Sequence, residues 1–354
     1  MLKVGVVGLG RGSSYFTMFS QYKETEVVAI CDSNEKKAKE FAKVNNVKSW
    51  YTDFGKFLEH DFDIAVVATP LPLHVSQSIQ ALEAGKHVLS EVPPANSIEE
   101  AKKLVKAVKK AKGQKYMMGA NMNYIHFVRE WIKIVNEGKI GRIIYAEAEY
   151  IHSLPKAMVN PDGTPTWRAH LPPIYYCTHS LGPLIAMMKE RFVSAIGLST
   201  GSNVAPKFGT IDMEVALLRT GSGAIVKLLC GFSVERGGGH HFYSLYGTKG
   251  SMETTKYPSL ENAYVYFKDD QQTKELVPIK ISINDPNAPD EAKQGGHGTS
   301  EYYLVRDFVQ SILNDTNPPV DVYTALDFGL PGLCAHESTK QGGKIVEIPD
   351  PRKW

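Results

Sequence analysis

The chain has few cysteines and almost no net charge, and each shortage excludes a class of protein. Its 40 lysines and arginines nearly balance 38 aspartates and glutamates, for a formal charge of +2, so composition does not indicate binding to nucleic acid or to an anionic membrane. The four cysteines form no CxxC pair: they are Cys31, Cys177, Cys230 and Cys334. This spacing favours free thiols in a reducing compartment over a disulfide framework or a zinc site.

Long hydrophobic runs are also missing. No apolar stretch approaches the roughly 20 residues that span a bilayer, and the opening MLKVGVVGLG is typical of a strand rather than of a signal peptide. We therefore expect a cytoplasmic protein. What the chain does have is ordinary globular composition, 43% hydrophobic and 22% charged, with a length of 354 residues that is ample for two cores.

The first third of the chain alternates short apolar strands with amphipathic helices. This alternation is typical of a parallel sheet with helices on both faces. The predicted strands are residues 3–8, 26–32, 63–70, 86–91 and 115–121, and the predicted helices are residues 13–21, 34–44, 74–85 and 97–111. We predict an α/β domain with a Rossmann-type parallel sheet over residues 1–122.

The pattern changes after residue 122. Residues 127–138 predict one helix, residues 282–299 a polar loop and residues 300–314 another helix. The remaining strand candidates are long and alternating, and they are residues 142–151, 192–201, 213–232 and 241–254. Within the third of these, LLRTGSGAIVKLL predicts a hairpin. We predict an α+β domain over residues 123–354 with a large, mostly antiparallel sheet.

The segment GLGRGS at residues 8–13 follows a predicted strand and opens a predicted helix. Gly8 permits a tight turn, and Gly10 lets the backbone approach a pyrophosphate at the helix N-terminus. Asp32 ends the next strand, where an acid accepts hydrogen bonds from the adenosine ribose. The strict pattern has glycine where Ser13 stands, so a glycine turn that only packs is the alternative. No arginine follows Asp32, which favours NAD over NADP. The residues predicted to hold this end of NAD are Gly8, Gly10, Arg11, Gly12, Ser13 and Asp32.

Two further segments, ATPLPLH (68–74) and SEVPP (90–94), lie at the carboxyl ends of predicted strands. Ligands of open parallel sheets bind beyond these ends. We predict that Glu91 lies beside the nicotinamide ribose, with a solvated turn residue as the alternative. The other residues predicted to contact this end of the cofactor are Thr69, Pro70, Leu71, His74 and Pro93.

The second domain contains a dense group of aromatic and basic residues within TWRAHLPPIYYCTHSLGPL (166–184). Aromatic rings offer apolar faces to sugar C–H groups, while arginine, histidine and tyrosine offer donors and a titratable base. A single histidine of this kind is more often structural. The group as a whole predicts a site, and its members are Trp167, Arg168, His170, Tyr175, Tyr176 and His179.

Two histidine motifs remain. His240 and His241 are adjacent, so they point apart on a strand, and no carboxylate lies close to them in the sequence. We therefore predict no metal site. His297 lies in the glycine-rich GGHGTSE (295–301), where it either reaches a pocket or caps the following helix.

Taken together, these segments resemble the glucose–fructose oxidoreductase/inositol dehydrogenase (Gfo/Idh/MocA) family along essentially the whole chain. The matching pieces are GLGRG, Asp32, VVATPLPLH, GKHVLSEVP and YGTKGS. The sequence departs from the family twice. Val92 replaces the lysine that follows the family's glutamate, and Tyr175 replaces the aspartate that stands four residues before its catalytic histidine, here His179.

At both of these positions the chain resembles one branch of the family, the NAD-dependent glycosidases typified by α-N-acetylgalactosaminidase. That branch has E-V-P, Y-P-T-H-x-L-G-P and G-G-H-G-G-M-D. This chain has EVP, YCTHSLGP and GGHGTSE, so Cys177 replaces a proline and Thr299-Ser300-Glu301 replaces Gly-Met-Asp. The second replacement leaves the identity of the sugar open.

The resemblance implies hydride transfer from sugar C3 to NAD, loss of the C2 proton, elimination of the C1 aglycone, addition of water and return of the hydride. Tyr176 is the implied C2 base, which needs a neighbouring cation or the charge of the keto sugar, and His179 the group that handles the C3 hydroxyl proton. His297 is implied to bind sugar hydroxyls. Trp167, Arg168 and Tyr175 are the other predicted substrate-binding residues.

Two alternatives stay open at this stage. One is a simple NAD-dependent sugar or inositol dehydrogenase, and the other is a non-catalytic sensor of NAD and sugar. The family also often pairs subunits through its second-domain sheet, and the apolar run AIVKLLCGF (224–232) suits such burial. We therefore expect a homodimer or homotetramer, with a carbohydrate as the small-molecule partner.

Overall fold

Six parallel strands form the first sheet of the computed structural model, which describes residues 1–256, 261–269 and 274–354. The strands are β1 (Leu2–Val7), β2 (Thr25–Cys31), β3 (Ser49–Tyr51), β4 (Ile64–Val67), β5 (His87–Ser90) and β6 (Tyr116–Met118). They lie in the order β3-β2-β1-β4-β5-β6, and neighbouring strands run parallel. The order reverses between β1 and β4, which is where open parallel sheets bind their ligands.

Helices border these strands in sequence as the alternating pattern predicts. They are α1 (Gly12–Gln21), α2 (Glu35–Val44), α3 (Phe54–Leu58), α4 (His74–Glu83) and α5 (Ile98–Lys110). Every residue of β4 is completely buried, as expected for a strand covered on both faces. Ser97 caps α5, because its Oγ accepts a hydrogen bond of 3.1 Å from the backbone N–H of Glu100. The predicted Rossmann-type parallel sheet is confirmed.

Nine strands form the second sheet. They are β7 (Ile143–Ile151), β8 (Phe192–Ser199), β9 (Met213–Thr220), β10 (Ile225–Gly231), β11 (His240–Gly247), β12 (Gly250–Thr254), β13 (Asn262–Phe267), β14 (Val277–Lys280) and β16 (Val346–Glu347). Their order is β14-β13-β12-β11-β7-β10-β9-β8-β16. Among the described strands of this second sheet, only β7 and β10 pair in parallel. The predicted large, mostly antiparallel sheet is confirmed, including the β9–β10 hairpin.

One face of the second sheet is covered and the other is open. On the covered face Ala148, Leu228 and Tyr243 are completely buried. On the opposite face Leu217 and Tyr264 are 47% and 37% exposed, and strand register places both on the side of Glu147. This alternation is expected for an antiparallel sheet that is packed on one side only.

The remaining elements lie outside the two sheets. They are the helices α6 (His126–Asn136), α7 (Pro155–Met158), α8 (Thr178–Met188), α9 (Ser300–Leu313) and α10 (Val322–Lys340), the short strand β15 (Gly296–Thr299), and the 3₁₀ turns Leu71–Leu73, Asn121–Tyr124, Trp167–His170, Pro173–Cys177, Pro206–Phe208, Asp290–Gln294 and Pro351–Lys353. The segment 282–299, predicted to be a loop, contains the 3₁₀ turn Asp290–Gln294 and the short strand β15.

The chain folds into two compact units. The first comprises Met1–Tyr124 with Asn284–Leu326 and Pro351–Trp354, and the second comprises Ile125–Ile283 with Asp327–Asp350. The first break in the chain lies two residues after the predicted boundary at residue 122. Composition does not predict that residues 284–326 return to the first unit, because these residues form a loop and a helix of ordinary polarity.

Two properties of the chain as a whole bear on its environment. All four cysteines are buried free thiols, as their spacing predicts. Among the described residues, no helix combines the length and apolar character that crossing a membrane demands.

Candidate active site

The dinucleotide segment forms a tight turn between β1 and α1 in the first unit. Gly8 has a φ of +86°, and a Cβ there would lie 2.5 Å from the carbonyl oxygen of Ala68, so only glycine fits this position. The helix begins at Gly12 and has no side-chain cap. Its first backbone N–H groups are therefore suited to bind an anion. This turn fits the pyrophosphate of a dinucleotide.

Asp32 lies at the end of β2 and is buried. Its carboxylate accepts hydrogen bonds of 3.0 Å from the backbone N–H groups of Leu9 and Asn34, which tie it to the glycine turn. Lys37 on α2 places its Nζ 3.0 Å from Oδ2. No arginine follows Asp32 in the sequence, but this lysine, five positions later, supplies a cation that the arginine criterion does not detect. The acid that favours NAD thus has a cation beside it.

The segment after β4 is held by hydrogen bonds. His74 is buried, and its Nδ1 and Nε2 lie 3.0 and 2.7 Å from the carbonyl oxygens of Pro93 and Thr69. Thr69 also donates to the Gln77 side chain at 2.7 Å, while Leu71 is buried. His74 therefore joins the two strand-end segments, and its contact with a cofactor stays a prediction. Pro70, the remaining residue of this group, is exposed.

Glu91 follows β5 and precedes a cis peptide bond between Val92 and Pro93. Its side chain is buried, so the alternative of a solvated turn residue is wrong. One oxygen accepts hydrogen bonds from Arg11 Nε at 2.7 Å and from the Tyr15 hydroxyl at 3.0 Å. The other accepts the Val92 backbone N–H at 2.8 Å. Glu91 is thus fixed against the dinucleotide turn.

Arg11 also forms an ion pair with Glu301, a completely buried acid at the start of α9, over 2.5 Å. Glu301 in turn accepts a hydrogen bond of 2.9 Å from Nδ1 of His297. Burial by itself would raise the pKa of Glu301, but the hydrogen bond from His297 and the charge of Arg11 hold that pKa below its ordinary value. Burial raises the pKa of Tyr15 far above its usual range. Arg11 therefore lies between two buried carboxyl groups, those of Glu91 and Glu301.

Sequence motifs predicted separate roles for Arg11, Glu91 and His297 but did not identify Glu301, the acid that contacts both Arg11 and His297. Glu301 was noted only as a departure from a motif. Spacing gave no reliable signal for this pair, because His297 lies in β15 and Glu301 in the first turn of α9, so their contact depends on how the chain turns between the two elements. We call Arg11, Tyr15, Glu91, His297 and Glu301 the acid–arginine cluster.

The aromatic segment of the second unit folds into two 3₁₀ turns followed by α8. Tyr176 is buried, and the guanidinium carbon of Arg168 lies 5.4 Å from the centre of its ring. The same guanidinium lies 4.4 Å from the Trp167 ring. The segment therefore places one cation against two rings of the predicted site.

His179 lies in a group of rings of which the sequence motifs predicted only a part. Its ring centre is 6.1 Å from that of Tyr176 and 5.1 Å from that of Tyr150, which it meets edge-on. His241 stacks on Tyr150 at 4.3 Å, and Phe232 packs edge-on against Tyr176. Three of these rings lie on or directly after strands that are far from the aromatic segment in the sequence: Tyr150, Phe232 and His241. The sequence motifs therefore did not predict that they join the site. We call Arg168, Tyr176, His179, Tyr150, Phe232 and His241 the aromatic cluster.

Tyr175 lies beside a different pair of side chains. Its ring meets His336 edge-on at 5.4 Å, and Nδ1 of His336 lies 2.7 Å from the buried carboxylate of Glu214. Burial, followed by the negative charge of Glu214, raises the pKa of Tyr175 to about 12. The substrate contact predicted for Tyr175 stays a prediction. His170 is exposed.

No group of three or more potential metal ligands occurs among the described residues. His240 nevertheless has a carboxylate partner, since its Nε2 lies 3.1 Å from Glu149. That acid is on the neighbouring strand β7, which is why its proximity could not be seen in the sequence. Lys256 donates to the same carboxylate at 2.6 Å. His240 is therefore part of an ion-paired group in the second sheet.

Two family models match separate parts of the chain. Residues 2–120 match the oxidoreductase family with an NAD-binding Rossmann fold, Gfo/Idh/MocA. Residues 189–353 match the C-terminal domain of glycosyl hydrolase 109. The resemblance drawn from the sequence motifs is confirmed.

Relatives and solved structures resemble the chain over nearly its full length. A glycosyl hydrolase family 109 protein of Solibacter usitatus is 26% identical, with 99% of this chain and 88% of that protein covered. One from Streptomyces niveus is 27% identical, with 99% and 77% covered. A levoglucosan dehydrogenase in complex with NADH superposes with a TM-score of 0.84 at 20% identity, covering 99% of both chains. At that identity the last likeness concerns the fold alone.

Proposed function

Because the chain is an enzyme that joins a Gfo/Idh/MocA Rossmann domain to a glycosyl hydrolase 109 C-terminal domain, we propose that it cleaves glycosides with NAD as a recycled cofactor. The substrate is a sugar with a leaving group at C1. Oxidation at C3, elimination across C1 and C2, addition of water and reduction at C3 give net hydrolysis. The relatives named as glycosyl hydrolase family 109 proteins support this proposal.

The first unit would hold NAD. The turn at Gly8 and the uncapped N-terminus of α1 fit the pyrophosphate, and the Asp32 carboxylate suits the adenosine ribose. Glu91 would lie beside the nicotinamide ribose. Bound NAD supplies a reversible two-electron oxidation of the sugar at C3.

The observation that carries the proposal is the cation beside Tyr176. A tyrosine hydroxyl ordinarily loses its proton near pH 10, so a tyrosine base at neutral pH needs positive charge nearby. The Arg168 guanidinium carbon, 5.4 Å from the Tyr176 ring centre, supplies that charge. A 3-keto group makes the neighbouring C2 proton acidic. Tyr176 would remove this proton, and the aglycone would leave C1 with the C–O bonding electrons.

His179 would accept and return a hydroxyl proton of the sugar, and His297 would bind a sugar hydroxyl. His179 is 6.1 Å from Tyr176 between ring centres, so both can act on one sugar ring without competing for one position. We assign the C3 hydroxyl proton to His179, because Val92 replaces the lysine that does this in the family's sugar dehydrogenases. His297, which is half exposed, would bind a sugar hydroxyl.

Incubation with p-nitrophenyl α- and β-glycosides, with and without added NAD, tests the proposal. Release of p-nitrophenolate that requires NAD, without stoichiometric NADH, is the expected result. NADH formed in step with substrate consumption and without p-nitrophenolate would instead make the chain a sugar or inositol dehydrogenase.

We also propose that the chain forms a homo-oligomer through the open face of its second sheet. Apolar side chains on that face are partly exposed, with Leu198, Leu217 and Tyr246 at 57%, 47% and 43%, beside the Glu147–Lys227 ion pair. Light scattering should give a dimer or tetramer mass that falls in Leu217→Glu. A monomeric wild type would contradict this.

We also propose a cytoplasmic location, because buried free thiols are typical of proteins from a reducing compartment. Cell fractionation would test this.

A further inference from the structure

Glu301 is the most completely enclosed acid of the acid–arginine cluster, and both of its oxygens are occupied. Oε1 accepts His297 Nδ1 at 2.9 Å and pairs with Arg11 Nη1 at 2.5 Å. Oε2 accepts the backbone N–H of Gly296 at 2.6 Å. The Glu301 side chain is 0% exposed, whereas the His297 side chain is 48% exposed. The pair thus joins a buried carboxylate to an imidazole that a ligand can reach.

The glycines of this segment allow the backbone to wrap around the carboxylate. A Cβ on Gly296 would lie 2.7 Å from Ser14 Oγ, and Gly298 has a φ of +63°. A larger residue at Gly298 would strain the loop, and one at Gly296 would require Ser14 to move. The glycine-rich segment therefore encloses the Glu301 carboxylate and leaves the ring of His297 partly exposed.

The charge of Glu301 decides which ring nitrogen of His297 carries the proton. The pKa of Glu301 is held down, so the carboxylate is ionised and can only accept hydrogen bonds. Nδ1 must therefore carry a hydrogen. A neutral imidazole has only one such hydrogen, so its Nε2 is left as an acceptor.

Arg11 restrains this arrangement from the other side. Its guanidinium bridges Glu301 and Glu91 and lies 4.7 Å from the Tyr15 ring centre. Besides His297, the charged and titratable groups of the acid–arginine cluster are Glu301 on α9, Arg11 before α1, Tyr15 on α1 and Glu91 after β5. Rotation of the Glu301 carboxylate would break both its ion pair with Arg11 and its backbone hydrogen bond.

We propose that Glu301 is a positioning residue that holds His297 with a bare Nε2, so that His297 accepts a hydrogen bond from a substrate hydroxyl. Arg11 fixes Glu301. The inference rests on the proposed function for the identity of the ligand, a sugar hydroxyl. It does not depend on whether the glycosidic bond is cleaved.

The first test reads the tautomer directly. In protein with ¹⁵N-labelled histidine, the signals missing from His297→Ala identify this ring, and spectra at alkaline pH report its neutral form. We expect protonated Nδ1 and bare Nε2 in the wild type and in Glu301→Asp, and loss of that preference in Glu301→Gln. An unchanged tautomer in Glu301→Gln would overturn the proposal. Glu291→Gln, an exposed acid in the same segment, is the matched control.

The second test uses binding of the p-nitrophenyl glycoside that the wild type processes, titrated into NAD-loaded protein. His297→Ala and Glu301→Gln should each weaken binding about three- to ten-fold, the usual range for one hydrogen bond. The double variant should be no weaker than His297→Ala alone, because Glu301 acts through His297. Additive losses would show that Glu301 supports the fold independently and would overturn the proposal.

A failure of the positioning proposal can be distinguished from a failure of the proposed function. If the wild type oxidises sugars but releases no p-nitrophenolate, the cleavage reaction is wrong, while the tautomer spectra still decide the role of Glu301. If cleavage is confirmed but the tautomer is insensitive to Glu301, only the positioning proposal is wrong.

Discussion

The two units build their candidate sites from different interactions. In the first, the acid–arginine cluster uses short ion pairs and hydrogen bonds around buried carboxylates. In the second, the aromatic cluster uses ring contacts of 4.3 to 6.1 Å with one arginine. Directional bonds fix the positions of charged groups, whereas packed rings offer apolar faces, which in the proposed function would bind a sugar and keep a base close to a cation. We expect the first cluster to govern binding and the second to govern rate.

This difference should appear most strongly in Tyr176→Phe, which removes one hydroxyl and keeps the ring packing. Loss of a general base typically costs about 10²–10⁴ in rate, so glycoside cleavage should fall by that factor while sugar oxidation continues. The variant should therefore accumulate NADH and a keto glycoside, measured by absorbance and mass spectrometry. Tyr323→Phe, which removes a hydroxyl on α10 outside both clusters, is the control and should retain cleavage. Unchanged cleavage in Tyr176→Phe would remove this residue from the mechanism.

A change in the first unit should instead act on cofactor affinity. Asp32→Ala removes the acid expected to bind the adenosine ribose, and hydrogen bonds to charged groups contribute about 1.5–3 kcal/mol, or roughly 10- to 100-fold. NAD should bind more weakly by that factor, measured by calorimetry. Discrimination against NADP should relax, because Lys37 would be released to meet the additional phosphate. Equal affinities of wild type and variant for both cofactors would show that the adenosine end is misplaced.

Removing the cation of the aromatic cluster should have a smaller, pH-dependent effect. A positive charge favours the deprotonated form of a nearby phenol. Arg168→Gln should therefore lower cleavage about 10-fold at neutral pH, since cation–π contacts contribute about 0.5–2 kcal/mol. The rising limb of the pH–rate profile should move to higher pH. Arg168→Lys keeps the charge and should keep most of the profile. A profile that does not move in Arg168→Gln would contradict the role of the cation.

The smallest effect concerns stability in the second sheet. Burial raises the pKa of Glu149, but hydrogen bonds from His240 and Lys256 outweigh it and lower that pKa. An acid with a lowered folded pKa stabilises above its unfolded pKa of about 4.3, and this contribution is lost as pH falls through the folded pKa. Glu149→Gln should lower the free energy of unfolding by about 1–3 kcal/mol at neutral pH and by less near pH 4.

Urea unfolding at the two pH values measures this difference. Glu130→Gln, which affects the largely exposed ion pair with Lys133, is the control and should change stability by less than about 1 kcal/mol. A Glu149→Gln penalty that does not shrink on acidification would contradict the lowered pKa.

The sequence predicted what depends on local pattern. Near-continuous apolar runs such as β4 predicted the parallel sheet, and the glycine spacing around Gly8 predicted the turn before α1, because both signals lie within a few residues. The 217–229 hairpin was predicted for the same reason. Residues 241–254 were predicted as one strand candidate and form parts of β11 and β12, since Gly247 and Gly250 flank a turn between the two strands.

Contacts between distant segments could not be predicted. Arg11, Glu91 and Glu301 are separated by 80 and 210 positions in the sequence and meet only because the chain returns to the first unit. Tyr150 and His241 stack because β7 and β11 are neighbours. Likewise, Tyr175 and Tyr176 are adjacent in sequence, yet a 3₁₀ turn gives their rings different partners. Composition and spacing do not encode these pairings, which depend on strand order and loop geometry.

The central claim, cleavage through a 3-keto intermediate, is tested most directly by a glycoside carrying deuterium at C2. If a base removes the C2 proton during turnover, the sugar released by the wild type in ordinary water should have lost that deuterium to solvent. Complete retention of deuterium at C2 in the hydrolysed product would contradict the account.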